Sequence, residues 1–149
     1  MPNPMRVDDS MKEWEGYTIQ LLPIEKLIQV CPTDTTEKKR DFTKRVYQSL
    51  KTIGLSVPLV TVKLSSIKQL KRWYRFTKGR DMMPPRTWQK HASIAVFGGN
   101  TRLTAAKQLK FTHIDCIIMA QGGSSIRKNI KEIYRVQGLQ HKYHTELYG

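Results

Sequence analysis

Acidic side chains are scarce in this chain, and the scarcity is uneven. Twelve Asp and Glu stand against twenty-six Lys and Arg, a formal charge of +14. Eight of the twelve acids fall in residues 1–41, where six bases nearly balance them. Residues 42–149 hold twenty bases and only four acids. Solubility alone requires neither that magnitude nor that segregation, so the balance favours a polyanionic partner, most often nucleic acid. Cysteine is nearly absent as well. Cys31 and Cys116 stand alone, without metal-site spacing, which excludes a cysteine zinc site and a disulfide framework. One disulfide or two free thiols remain open, and a reduced, cytoplasmic protein is the expectation. No hydrophobic run approaches the roughly 18 residues of a membrane span. The polar N-terminal segment "MPNPMRVDDSMKEWEG" has no apolar core, so no secretion signal is expected there. Internal repeats and low-complexity tracts are also missing, which leaves one 149-residue domain large enough for a true core.

Short apolar blocks organise what is there. Residues 1–16 read as a flexible acidic arm. "YTIQLL" (17–22) reads as a strand, and Pro23 suits the first turn of a helix over "PIEKLI". Thr33, Asp34 and Thr35 are candidate caps for a helix carrying Phe42, Val46, Leu50 and Ile53 on one face and closing at Gly54. "VPLVTVKL" is a buried strand. A basic helix and loop follow over 64–90, with Ile67, Leu70 and Trp73 or Tyr74 on one face and Pro84-Pro85 breaking the loop. "ASIAVF" is a strand, "TRLTAAKQLK" a helix and "HIDCIIMA" a strand. The segment 121–149 is a final helix from Ser124, whose expected buried stripe is Ile126, Ile130, Ile133, Tyr134 and Leu139. Strands alternating with helices predict an α/β or α+β domain on a small mixed sheet flanked by helices, its core spanning 17–120.

Gly98-Gly99-Asn100-Thr101-Arg102 stands where a strand hands over to a helix. The first turn of a helix presents backbone N–H groups and the positive end of the dipole. Glycine before it allows close approach to the main chain. Arg102 supplies a charge-assisted donor and Thr101 a hydroxyl, so these five residues make a candidate phosphate cradle. Glycine at such turns also serves geometry alone.

The segment "VFGGNTRLTAAKQLKFTHIDCIIM" resembles the signature of the ParB N-terminal-like and sulfiredoxin superfamily. There a strand leads to a Gly-x-x-Arg turn, an alanine-rich helix and a further strand. "LPIEKLI" and "LKTIGLSVPLVTV" are similar to the family's opening. The resemblance covers residues 17–120 and is loosest over 64–90. It implies a ParB/sulfiredoxin-like fold and, in the ParB-like branch, a nucleoside triphosphate (CTP or ATP, with Mg) held by the turn. Gly99 and Arg102 match that pattern by position. Asn100 replaces the acidic residue associated with the metal, which speaks against metal-assisted hydrolysis. In the sulfiredoxin branch "FGGCHR" carries the catalytic cysteine, and Asn100 stands in its place. A carboxamide is no thiolate nucleophile, which excludes sulfiredoxin chemistry. "VQGLQHK" (136–142) is the nearest counterpart of a downstream segment that lies near the nucleotide in the ParB branch. With the chain ending at Gly149, no helix-turn-helix domain is expected after it. The resemblance further implies a short stand-alone member of the kind carried by phages and mobile elements.

The segment 63–90 has nine bases and one acid, interleaved with Trp73, Tyr74, Phe76 and Trp88. Cations neutralise phosphates while aromatics stack on bases, so Lys68, Lys71, Arg72, Arg75, Lys78, Arg80 and Arg86 are candidate nucleic-acid contacts. Burial of the aromatics in the core is the plain alternative. His141 and His144, beside Tyr143 and Glu146, favour a helix C-terminus more than a metal site. His91, His113 and Asp115 form no catalytic set. The expected function is a nucleic-acid-associated protein, contacting DNA in preference to RNA and not a membrane, with a nucleotide-binding turn. A ParB-like nuclease or NTPase, and a non-enzymatic factor that binds a host protein complex, remain the alternatives.

Overall fold

The computed structural model describes residues 3–29, 37–64, 93–121 and 128–148. Its frame is one mixed sheet. The strands in chain order are β1 (Pro4–Met5), β2 (Glu13–Trp14), β3 (Tyr17–Pro23), β4 (Leu27–Gln29), β5 (Leu59–Lys63), β6 (Ile94–Gly98) and β7 (His113–Gln121). The helices among the described residues are α1 (Glu37–Thr52), α2 (Asn100–Gln108) and α3 (Ile130–Tyr148). The lateral strand order is β2-β3-β7-β5-β6-β4, with β1 beside β7. Strand β5 runs parallel to β7 and antiparallel to β6, which makes the sheet mixed, as the alternating sequence pattern predicts.

Side chains alternate across the pleat and sort the core into two layers. Val60, Val62, Ala95, Phe97, Ile117 and Met119 pack with Ile133 and Val136 of α3. Leu59, Ile94, Val96, Ile114 and Cys116 pack on the opposite face with Val46 and Leu50 of α1 and Leu103, Ala105 and Ala106 of α2. The result is three layers, α3 on one side and α1 with α2 on the other. Of the face expected on α1, Val46 and Leu50 are buried and Phe42 is half-buried. Ile53 lies past the last helical residue and is 79% exposed. Gly54 ends the helix at φ 92°, a geometry glycine adopts without strain.

Three expectations are corrected. No α-helix forms after Pro23. A single 3-10 turn, Ile24–Lys26, gives way to β4, because burial of Leu27 and Ile28 beside Ile94 and Ala95 outweighs a helix too short to sustain itself. Nor are the described residues of 1–16 a loose arm. β1 pairs with β7, Met5 and Val7 are buried, and β2 forms a hairpin with β3. The buried Asp115 carboxylate accepts the Val7 N–H at 2.9 Å, and the Arg6 Nε stands 3.8 Å away. On α3 the inward stripe is Ile133, Val136 and Gln140, with Ile130 half-buried. Tyr134 and Leu139 point largely outward, and Ile126 lies outside the described residues.

Candidate functional site

The glycine turn sits at the start of β5. Antiparallel pairing sets Gly98 opposite Val60 and Ile94 opposite Lys63. The base-rich segment between Lys63 and Ile94 is therefore attached at the far end of these strands, about 13 Å from the turn at 3.3 Å per residue.

Gly99 caps α2 in a left-handed conformation, φ 107°, and Leu103 donates to its carbonyl at 2.8 Å. Gly99, Asn100 and Thr101 are half-buried, so the first turn of α2 reaches the surface. The Asn100 side chain donates from Nδ2 to the Val96 carbonyl at 2.9 Å, and Thr104 Oγ1 donates to the Asn100 carbonyl at 3.1 Å. The asparagine thus ties α2 back onto β6.

Arg102 departs from its expected part as an outward phosphate clamp. It is 1% exposed, and its guanidinium turns under the turn. Nη1 donates to the Val57 carbonyl and Nη2 to the Pro58 carbonyl at 3.4 Å. These carbonyls close the loop leading into β5, and Arg102 reaches them from the first turn of α2.

Both glycines are required by this packing. A Cβ at Gly99 would run into Leu59 Cδ2 and the Arg102 guanidinium, in a conformation side chains rarely adopt. A Cβ at Gly98 would meet the Gln140 carboxamide. Gln140 is 1% exposed and donates from Nε2 to the Pro58 carbonyl, while Gln137 donates to the Phe97 carbonyl at 2.8 Å. One carbonyl, Pro58, therefore receives donors from α2 and from α3, across both faces of the sheet. Composition and spacing gave no sign of the two glutamines. The only signal was the likeness of "VQGLQHK" to a segment expected near the turn, and Gln137 and Gln140 of that segment do reach it.

α2 carries no acid in its first turn, and Asn100 engages Val96, so the turn's own side chains do not fit a magnesium ion. Among the described residues no three His, Cys, Asp or Glu side chains come together. Cys116 is fully buried on β7, and burial pushes its thiol far above the ordinary range despite the opposing charge of Arg102. It is no nucleophile.

Lys68, Lys71, Arg72, Arg75, Lys78, Arg80 and Arg86, with the four aromatics among them, lie outside the described residues, as do Cys31, His91 and the side chains of His141 and His144. The described part of the basic half ends on α3. Because Gln137 and Gln140 bond at the Gly98 end of the sheet, the start of α3 lies toward the Lys63 end. Lys128, Lys131, Arg135 and Lys142 are all exposed. At 100° per residue Lys131, Arg135 and Lys142 of α3 fall within about 40° of arc, opposite the buried stripe, over about 16 Å, and Lys128 precedes the helix.

No described helix is long and apolar enough to cross a membrane. The sequence matches no protein-family model and no curated protein. The chain is similar to the solved structure of sulfiredoxin from Arabidopsis thaliana, at 20% identity over 76% of this chain and 97% of that one, with a TM-score of 0.46.

Proposed function

We propose that this protein binds nucleic acid, duplex DNA foremost, through an electrostatic face on the outside of α3, with the nine bases of the segment 63–90 adding to the positive charge of the chain. The observation that carries the reading is the single line of Lys131, Arg135 and Lys142 on α3, with the exposed Lys128 just before it, in a part of the chain holding twenty bases and four acids. Cations spaced along one helix face meet successive phosphates without reading bases, so the binding is non-specific and releases counterions. Three or four phosphate contacts weaken binding by about 40–150-fold between 50 and 200 mM salt. Fluorescence anisotropy on a labelled duplex tests this. Lys131→Gln and Lys142→Gln each lower the slope of log affinity against log salt by about 0.9. An affinity that ignores salt, or ignores both substitutions, overturns the reading.

A second reading is favoured by the half-exposed first turn of α2. There a nucleotide phosphate, from CTP or ATP, docks on the main-chain amides of Asn100 and Thr101 and the dipole of α2. Arg102 lends only its charge from beneath, and no metal takes part. Asn100→Asp discriminates. A carboxylate there favours the helix terminus yet repels phosphate, so nucleotide titration shows saturable binding in the parent and none in the variant. Equal titration curves, or none in either protein, remove this reading and leave the turn as scaffold.

A further inference from the structure

Arg135 is held by two carboxylates from distant parts of the chain. Glu132 accepts from its Nε at 3.0 Å and its Nη2 at 2.6 Å. Glu15 stands 3.5 Å from its Nη1. Glu15 and Gly16 form the two-residue tip of the β2–β3 hairpin, between the paired Trp14 and Tyr17. Both tip residues have positive φ, 53° and 84°, the backbone of a type I′ turn. Asn, Asp or Gly is favoured at the first of those positions, and glutamate is not. A glutamate there accepts poor local geometry while its carboxylate reaches a cation on another element.

The hairpin body is fixed beside α3. Trp14, Tyr17 and Ile130 pack on the cluster that holds Ile133. Burial and the Glu132 carboxylate raise the Tyr17 phenol above its ordinary range. Glu15 brings negative charge to a helix whose outward line is basic.

We propose that this hairpin tip is a built-in competitor for the polyanion. The Glu15 carboxylate occupies the guanidinium edge of Arg135 that a phosphate takes, and leaves it when nucleic acid docks along α3. The inference rests on the nucleic-acid reading and adds its regulation. Glu132 holds Arg135 through two bonds, while the longer contact to Glu15 is the exchangeable one. Half of the Arg135 side chain is exposed, and 34% of Glu15, so a phosphate reaches the pair from solvent.

The test uses the full chain and a labelled 30-base-pair DNA duplex, at 50 and 200 mM salt. Glu15→Asn removes the charge and keeps a residue suited to positive φ. Its melting temperature, at or above the parent's, checks the hairpin; if it melts lower, Glu15→Gly takes its place. The variant binds about 3–10-fold tighter than the parent at 50 mM salt, and the gain shrinks at 200 mM. The gain vanishes in an Arg135→Gln background. Glu25→Gln, which removes an exposed acid from the 3-10 turn, shifts affinity less than twofold. Unchanged affinity in Glu15→Asn, an equal gain in the Arg135→Gln background, or an equal gain from Glu25→Gln overturns the proposal alone. No binding by the parent or by Glu15→Asn overturns the nucleic-acid reading and this inference with it.

Discussion

Replacing Arg102 by alanine asks whether its guanidinium serves the fold or a ligand. The substitution removes the donors to Val57 and Pro58. Pro58 keeps the Gln140 donor, so the Val57 carbonyl is the acceptor that loses its charged partner. A hydrogen bond to a charged group contributes about 1.5–3 kcal/mol, and a buried acceptor stranded by its loss costs about 1–3 kcal/mol. The vacated stem adds a cavity beside Leu59. Relief from burying a cation offsets part of this, which leaves a loss of about 3–5 kcal/mol. That is a large share of the 5–15 kcal/mol typical of a domain. With a urea slope of about 2 kcal/mol/M, the unfolding midpoint falls by about 1.5–2.5 M at unchanged slope. Arg102→Met keeps the stem and loses about half as much. The exposed Lys44→Ala changes stability by less than about 0.5 kcal/mol. If Arg102→Ala unfolds within 1 kcal/mol of the parent, the guanidinium is no prop, and the reading of the turn as internal scaffolding fails. Loss of ligand binding in this variant carries meaning only beside that unfolding curve.

Gly99→Ala costs about 2–4 kcal/mol by chemical denaturation, from left-handed strain and collision with Leu59. Gly138→Ala, on the open side of α3 with nothing within 4 Å, instead stabilises by about 0.5–1 kcal/mol. Reversal of those signs refutes the packing described for the two glycines. Cys116 makes alkaline pH destabilising. The folded thiol holds its proton above the ordinary thiol pKa, where the unfolded chain has released it. Stability therefore falls above about pH 8.5, by at most about 1.4 kcal/mol per pH unit from this group. Cys116→Ala removes that component of the slope, and parallel pH profiles for parent and variant refute it. Alkylation of Cys116, located by mass spectrometry, follows global unfolding.

Where a stretch of chain decides its own structure, the sequence was readable. Runs of β-branched residues at 59–63, 94–98 and 113–121 form strands, and Gly99 starts α2 as the glycine junction suggested. The α/β class followed from that alternation. Contacts between distant segments were not readable. Met5 and Val7 sit in a stretch of mixed polarity and become core only because Asp115 and β7 receive them. Pro23 offered a helix start, and a partner strand overruled it.

The turn divides along the same line. Residue identity alone determined that a glycine-led helix end, with an arginine in its first turn and no cysteine or acid at Asn100, occurs in a basic chain. Only the tertiary structure decided which way Arg102 faces, because an arginine in a first turn serves a ligand or a carbonyl equally well until its surroundings exist. The Val57 carbonyl it meets is 45 residues away, and the Gln140 that shares Pro58 with it lies 82 residues beyond that proline. Burial then fixes the choice, since the guanidinium enters the protein only where buried carbonyls replace its water.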